Sequence, residues 1–237
     1  MLLNALPEMD RAQLVSQLTP VEFAANQMFV LPDPAWPRSY FIERGFVSAI
    51  IRVADTSMDV GLIGREGMVG VPTLLGSEVA PYLIAVRQPV RALGIGVGAL
   101  QTLMRRSVPL NDLVIRYVQA ATAQVIYNSF ASAHCHVGAR VARWLLMAHD
   151  RSDGDTIGVT HTNLSTSVGV QRSGVTHALQ DFESVQAIRT ARGSVIIVDR
   201  EKLKAVAGPA YGPAEAAYRA LIPPSLPDAA CATARAD

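Results

Sequence analysis

Hydrophobic and polar residues follow three different patterns along the chain, and the first predicts a β-rich region. From Val21 to about Ile95, short apolar or alternating runs are separated by prolines and glycines, after a short helical pattern over Asp10–Leu18. Short runs bounded by turn residues predict antiparallel strands that form a sandwich or barrel. The predicted strands are Gln27–Leu31, Tyr40–Ile42, Phe46–Arg52, Asp59–Ile63, Leu83–Val86 and Val90–Val97.

The second pattern predicts a long helix. Between Val108 and His149 the only glycine or proline after Pro109 is Gly138. One seam of this helix has spacings of four, three, four and three, which suits pairing with a second helix. The alternative is that the seam packs on the chain's own barrel. The seam residues, which we expect to mediate dimerisation with Asn128 fixing the register, are Val114, Val118, Ala121, Val125 and Asn128.

A joint interrupts the helical region at His134–Gly138, where small and polar residues replace the apolar ones. Its His-Cys-His sequence resembles a metal-binding tract, but adjacent residues on a helix diverge by about 100° and rarely converge on one ion. We therefore expect a hinge and no metal. The predicted division is an effector or sensor domain over residues 1–107, a dimerisation helix and hinge over 108–137, a DNA-binding domain over 138–222, and a flexible tail over 223–237.

The third pattern is a helix-turn-helix between Thr160 and Val185. A first helix over Thr162–Val168 is followed by Gly169, which tolerates the positive φ of a tight turn. The second helix buries residues spaced by three and four and carries short polar side chains and an arginine on its outer face. Such a face suits the DNA major groove. The residues that we expect to contact DNA are Gln171, Arg172, Ser173, Thr176 and His177, and Thr160 or Thr162 can cap the first helix.

A hairpin follows the second helix at the distance expected for a wing. Two short apolar runs, Ala187–Thr190 and Ser194–Val198, flank an Arg-Gly turn. Arg192 at the tip of this turn is predicted to contact a phosphate. The combination of a helix-turn-helix and a wing predicts a DNA-binding domain.

Composition limits the remaining functions. The formal net charge of +1 gives no global attraction to nucleic acid, so DNA binding must depend on a local patch. Two cysteines, Cys135 and Cys231, are too few for a disulfide framework or an iron–sulfur cluster. We expect no signal peptide, no membrane span and a cytoplasmic location, because no basic segment precedes an apolar run and no apolar stretch reaches about 18 residues.

Taken together, these motifs resemble the Crp/Fnr family of bacterial regulators over nearly the whole length. The strongest local match is VGVQRSGVTHALQDFE with the following RTARGSVIIVDREKL. The resemblance implies an α+β fold: an N-terminal antiparallel β-roll of the jelly-roll-like, cyclic-nucleotide-binding type, a long dimerisation helix and a C-terminal winged helix-turn-helix. It also implies a homodimer on a pseudo-palindromic double-stranded DNA operator, with RNA polymerase as a candidate partner. The family's base-reading positions fall on Arg172, Ser173 and His177, where many members have glutamate at the second and arginine at the third. Thr160 and Thr162 occupy positions that resemble the family's phosphate contacts.

The family's cyclic-nucleotide cassette is altered in this chain. Members that bind cyclic nucleotide have a Gly-Glu pair and then an Arg-Ser or Arg-Thr pair, whereas this chain has Gly70-Val71 and Pro81-Tyr82 or Tyr82-Leu83. Arg87 would need a register shift to serve the phosphate, and an unpaired phosphate in an apolar pocket is costly. We therefore expect no ordinary response to cyclic AMP. The effector is unknown, and the candidate pocket is Gly70, Val71, Tyr82 and Leu83.

Other functions have weaker support in the sequence. All five histidines lie in the helical half, which disfavours heme, and no cofactor is expected. No GxSxG, HExxH or paired-carboxylate motif is present, so we do not expect an enzyme. The remaining alternative is a small-molecule-sensing module whose helix-turn-helix serves protein contact. The polar face from Arg172 to Gln180 argues against it.

Overall fold

The computed structural model describes residues 1–30, 38–54, 56–77 and 81–224. Most of the predicted tail 223–237 lies outside these ranges, as do Cys231 and the end of the predicted strand Gln27–Leu31. Two four-stranded antiparallel sheets form the N-terminal half, in the orders β1-β8-β3-β6 and β2-β7-β4-β5. These strands are β1 Thr19–Phe23, β2 Met28–Val30, β3 Arg38–Arg44, β4 Val47–Val53, β5 Thr56–Ile63, β6 Met68–Val69, β7 Leu83–Val86 and β8 Val90–Gly96.

The two sheets enclose an apolar core, as the β-roll prediction requires. Ile42 on β3, Ile84 on β7 and Ala92 on β8 are all almost fully buried in one cluster. The turn from β3 to β4 depends on Gly45, because its φ is +73° and a Cβ there would lie 2.2 Å from the Pro89 carbonyl oxygen. Strands β1 and β6 were missed because β1 is largely exposed and β6 has only two residues.

The helices and the small third sheet complete the chain. This sheet has the order β10-β11-β9 and belongs to the C-terminal half. Its strands are β9 Thr156–Gly158, β10 Ile188–Ala191 and β11 Ser194–Ile197. The α-helices are α1 Glu8–Val15, α2 Val71–Leu74, α3 Val97–Arg106, α4 Val108–His134, α5 Val137–His149, α6 His161–Val168, α7 Arg172–Ser184, α8 Arg200–Ala207 and α9 Pro213–Leu221.

Several α4 residues that were predicted to mediate dimerisation pack inside the same chain instead. The predicted dimerisation seam must therefore be corrected. Val114 is 1% exposed and packs in the N-terminal core. The Asn128 amide donates to the Val60 carbonyl oxygen at 2.7 Å, and its Oδ1 accepts from Arg143. Val118 and Ala121 are half-buried, which leaves Val125 as the exposed member. For Val114 and Asn128, the alternative prediction holds: these residues pack on the chain's own N-terminal half.

The joint between α4 and α5 lies at Cys135 and His136, just before Gly138. Cys135 is extended and ends α4, and the His136 Nδ1 accepts from the Ala139 backbone N–H at the start of α5. His134 instead packs its ring on Phe130, with centroids 5.0 Å apart. The two imidazoles thus have separate local roles, and Gly138 lies inside α5.

Helix α9 packs on the N-terminal half, although the sequence places it with residues 138–222. Ile222 is buried in the cluster that contains Leu2 and Leu113. The Tyr218 hydroxyl donates to the Glu66 carbonyl oxygen at 2.7 Å, and Arg116 on α4 donates to the Leu221 carbonyl oxygen. Helix α9 and Ile222 therefore connect the C-terminal half to the N-terminal half.

Candidate nucleic-acid interface

The two helices of the predicted helix-turn-helix are α6 and α7. Gly169 follows α6 with φ +68°, the left-handed conformation that the tight turn requires. Leu164, Val175 and Leu179 are almost fully buried and pack the two helices on the C-terminal core. Thr160 caps α6, because its Oγ1 accepts from the Asn163 backbone N–H at 3.1 Å.

The cap gives a measurable prediction. Thr160→Ala removes the acceptor for one of the free N–H groups at the start of α6, and loss of such a cap costs about 1 kcal/mol. We expect a decrease of that size in the free energy of unfolding, measured by urea titration. Thr160→Ser retains the hydroxyl and is the control. An alanine variant as stable as the serine variant would show that water replaces the cap without loss.

The outer face at the N-terminal end of α7 is available for contact. Gln171, Arg172, Ser173 and His177 are exposed. Within the described residues, the Arg172 guanidinium has no hydrogen-bond or ion-pair partner. Arginine, glutamine, serine and histidine side chains on one exposed helix end can donate to base edges and phosphates.

The threonines expected at the interface differ in their availability. Thr162 is exposed, but Thr160 is occupied by its capping bond. Thr176 is half-buried, its hydroxyl donates to the Arg172 carbonyl oxygen at 3.1 Å, and its Oγ1 lies 3.1 Å from His161 Nδ1. Thr176 therefore braces α6 against α7, and its inclusion among the DNA-contacting residues is not supported by this geometry.

The wing is formed by β10 and β11, which pair in register from Ile188–Ile197 to Ala191–Ser194. Arg192 and Gly193 make the turn, with Gly193 at φ +75°. Arg192 and Arg189 are both exposed and unpaired within the described part of the chain. Arg172, Arg189 and Arg192 are thus three exposed cations of the helix-turn-helix and wing on a protein whose formal net charge is only +1.

Glu183 connects the second helix to the wing, a role that the sequence pattern did not reveal. Its Oε1 accepts from the Thr190 backbone N–H at 2.6 Å and from the Thr190 hydroxyl at 2.8 Å. These hydrogen bonds lower the pKa of the Glu183 carboxyl, since they favour its charged form. The carboxylate thereby fixes the distance between the exposed face of α7 and the wing.

Comparison with known proteins agrees with this geometry. The family model described as "Crp-like helix-turn-helix domain" matches residues 139–206. The chain is 26% identical, over 81% of its length and 89% of the relative, to a "CRP-like cAMP-activated global transcriptional regulator" of Mycobacterium tuberculosis. Residues 139–206 thus match a Crp-like helix-turn-helix domain, and most of the chain is similar to a CRP-like transcriptional regulator.

Solved structures show the same fold. FixK2 from Bradyrhizobium japonicum has a TM-score of 0.68 at 11% identity, covering 81% of this chain and 98% of that one. A CRP-family regulator from Thermus thermophilus has a TM-score of 0.67 at 20% identity, covering 79% and 96% respectively. The α+β fold with a β-roll, a long helix and a C-terminal helix-turn-helix is confirmed.

Arg87, which the sequence offered as a substitute for the missing phosphate-binding arginine, is engaged elsewhere in this chain. The Arg87 Nη2 donates to Asp59 Oδ1 at 2.6 Å, and its Nε donates to Ser48 Oγ at 2.8 Å. Arg87 is therefore fixed inside the protein and is not free for a phosphate. Gly70 precedes the four-residue helix α2, and a Cβ at this position would lie 2.9 Å from the Arg38 carbonyl oxygen.

Asp59 itself is the centre of a buried polar network between the two halves of the protein. Its Oδ2 accepts from the Ser48 hydroxyl at 2.7 Å and from the Trp144 indole N–H at 3.0 Å. Trp144 lies on α5 and also packs edge-on against Phe46 of the β-roll. The sequence could not single out Asp59, because its partners are between 11 and 85 positions away.

A cavity of about 900 Å³ lies between β5, α4 and the segment from α8 to α9. Of the four candidate pocket residues, only Tyr82 lines it. Gly70, Val71 and Leu83 do not. Burial raises the pKa of the Tyr82 hydroxyl to about 12, so this group stays a neutral hydrogen-bond donor.

None of the helices in the described ranges is long and apolar enough to cross a membrane.

Proposed function

We propose that this regulator binds DNA sequence-specifically as a homodimer. The observation that carries the proposal is the exposed, polar N-terminal end of α7, which includes the unpaired Arg172. It lies on a helix-turn-helix with a rigidly attached wing, the arrangement that places a recognition helix in the major groove. Arg172, Ser173 and His177 are the expected base-reading residues. Thr162 and Arg192 are the expected phosphate contacts.

Dimerisation is proposed through a face of α4 that differs from the predicted seam. Ile115, Ile126 and Phe130 are 55%, 60% and 47% exposed, large fractions for apolar side chains on one helix. Gln119 and Thr122 lie between them on the same side and are also exposed. An exposed apolar stripe of this kind marks an interaction surface. Its spacing suits a second copy of the same helix.

Selection of bound DNA from a random pool, with purified protein and no effector, tests the proposed function. We expect an enriched motif with two-fold symmetry and half-sites about 34 Å apart, which is the spacing of successive major grooves. Binding should weaken steeply with salt, because phosphate contacts release counterions. Failure to enrich any sequence, both alone and with cell extract, would contradict DNA binding and favour a helix-turn-helix that contacts protein.

The role of Arg172 can be tested at the selected operator. Arg172→Ala should weaken binding by about 1–3 kcal/mol and relax specificity at one base pair, since a bidentate contact to guanine is lost. Arg106→Ala, at the exposed end of α3 and remote from α7, is the matched control. A uniform loss across all sequences in the Arg172 variant would make this residue a phosphate contact instead.

We further propose that cyclic AMP is not the ordinary effector of this protein, although a relative at 26% identity is named as cAMP-activated. The proposal is supported by the ion pair that occupies Arg87 and by Val71 at the position of the family's glutamate. Calorimetry with micromolar cyclic AMP should show no saturable heat. A saturable isotherm with one site per chain would overturn this proposal.

A further inference from the structure

The cavity of about 900 Å³ between β5, α4 and the α8–α9 segment extends below the protein surface. Several of the small or aliphatic residues that line it are almost fully buried. They are Ala49, Leu62, Ala120 and Ala214, each at most 6% exposed. The volume of the cavity lies within the roughly 300–1,000 Å³ that is typical of small-molecule sites.

The charged groups around this cavity neutralise one another. Among the described residues, four of the cations that line it are each paired with a carboxylate: Arg65 with Asp153, Arg151 with Glu66, Arg200 with Asp150, and Lys204 with Glu201. Arg219 is exposed and lies four residues after Glu215 on α9, so a carboxylate neighbours it on the same helix face. An ionised ligand would therefore lose its hydration without an unpaired, buried counter-charge to replace it.

Tyr82 supplies a hydrogen-bond donor that the described part of the protein does not use. Its side chain lines the cavity, and its hydroxyl has no partner within that part of the chain. The tyrosines Tyr117 and Tyr218 in the same wall instead donate to the backbone carbonyl oxygens of Met68 and Glu66. A ligand that displaces water from the Tyr82 hydroxyl must supply an acceptor in its place, because an unpaired donor is costly.

We propose that this cavity binds a neutral, largely apolar small molecule with a hydrogen-bond acceptor directed at Tyr82. Ile51, Val60 and Ala121 provide aliphatic contact for the body of this ligand. Removal of apolar surface from water drives the binding, while the paired charges disfavour ions such as cyclic nucleotides. This inference rests on the proposed function, since it names the chemical class of the regulator's effector.

The location of the cavity connects the ligand to the DNA-binding half. Val60 of the β-roll lines the cavity, and so do Lys204 on α8 and Tyr218 on α9. Helix α8 follows the wing along the chain and packs on α5. A ligand that contacts both halves stabilises the arrangement in which the cavity is formed, and with it one orientation of the helix-turn-helix.

Fluorescence titration of the full chain without DNA tests the ligand class. The probe is prodan, a neutral dimethylaminonaphthalene with a propionyl ketone as acceptor. Its charged counterpart is the same ring system with a carboxylate in place of the propionyl group. We expect saturable, micromolar binding of prodan at one site per chain and about tenfold weaker binding of the carboxylate, which must be desolvated without a counter-charge. Equal or tighter binding of the carboxylate, no saturable binding of prodan, or displacement of prodan by cyclic AMP would refute the proposal.

Tyr82→Phe tests the proposed hydrogen bond. We expect the affinity for prodan to fall about three- to tenfold, because one hydrogen bond is lost. The emission of the bound dye should also shift to shorter wavelength, since a hydrogen bond to the ketone moves it to longer wavelength. Tyr127→Phe, which removes a hydroxyl outside the cavity, is the matched control. Unchanged affinity and emission in Tyr82→Phe would contradict the proposed site.

A cavity-filling variant locates the bound dye. Ala121→Phe places a ring in the cavity and should abolish prodan binding, whereas Ala216→Phe, at an exposed position of α9 outside the cavity, should not. A thermal melt verifies that Ala121→Phe folds, and Tyr82→Phe remains decisive if it does not. Persistent binding in the folded Ala121→Phe variant would place the dye elsewhere and exclude this site. Because these titrations contain no DNA, a failed operator selection contradicts the proposed function without affecting this result.

Discussion

Replacement of Asp59 by alanine should destabilise the protein by about 3–5 kcal/mol, the typical cost of removing one member of a buried ion pair. The Asp59 side chain is 4% exposed and that of Arg87 is 15% exposed. The substitution leaves the Arg87 charge buried without its counter-charge. It also removes the acceptor of the Trp144 indole N–H and of the Ser48 hydroxyl. Urea unfolding followed by circular dichroism measures the free energy of unfolding.

Asp153 provides a matched control for this measurement. Its carboxylate also binds two arginines, Arg44 and Arg65, each at 2.7 Å, but it is 42% exposed. An exposed ion pair contributes at most about 1 kcal/mol, so Asp153→Ala should cost far less than Asp59→Ala. Equal losses in the two variants would show that burial of the Asp59 network adds no stability.

Disruption of the exposed apolar face of α4 should have the second large effect, a loss of dimerisation. In the variant with both Ile115→Glu and Ile126→Glu, we expect a monomer in analytical ultracentrifugation at micromolar concentration. The two positions are eleven residues apart and so lie on one face, where the new carboxylates would oppose those of the partner helix. Operator affinity should fall about 100-fold or more, because linkage of two half-site contacts strengthens binding by about 10²–10⁴.

The control for the dimer variant is Met9→Glu, which adds charge to another strongly exposed apolar position, on α1. Since Ile115 and Ile126 do not contribute to the core, circular dichroism should show an unchanged fold in the double variant. A double variant that remains dimeric and binds the operator normally would contradict the proposed face and place dimerisation elsewhere.

The helix-turn-helix and wing could be predicted because their determinants are local. The cap at Thr160, the left-handed Gly169 and the three-and-four spacing of Val175, Leu179 and Phe182 all act within about 25 residues. The β-roll was predicted for the same reason, from short runs bounded by glycines and prolines. In both regions, the hydrophobic period and the turn residues point to the same structure.

The faces of α4 could not be assigned from sequence. An apolar seam indicates that a helix face is buried. It does not indicate whether the chain's own core or a second copy of the helix buries it. Val114 meets the chain's own core and Ile126 meets solvent, although both are aliphatic residues on the same helix. The assignment depends on where the β-roll and α9 pack, and both of these contacts are long-range.

The sequence by itself determined the resemblance to Crp-type regulators, the order of most elements and the exposed position of Arg172 at the start of α7. Only the tertiary structure showed that Thr176 links α6 to α7 and that Arg87 forms an ion pair with Asp59. It also showed that α9 lines a cavity beside the β-roll. The physical reason is separation along the chain. Contacts such as Trp144 with Asp59, or Tyr218 with Glu66, join residues 85 and 152 positions apart, and no local pattern encodes them.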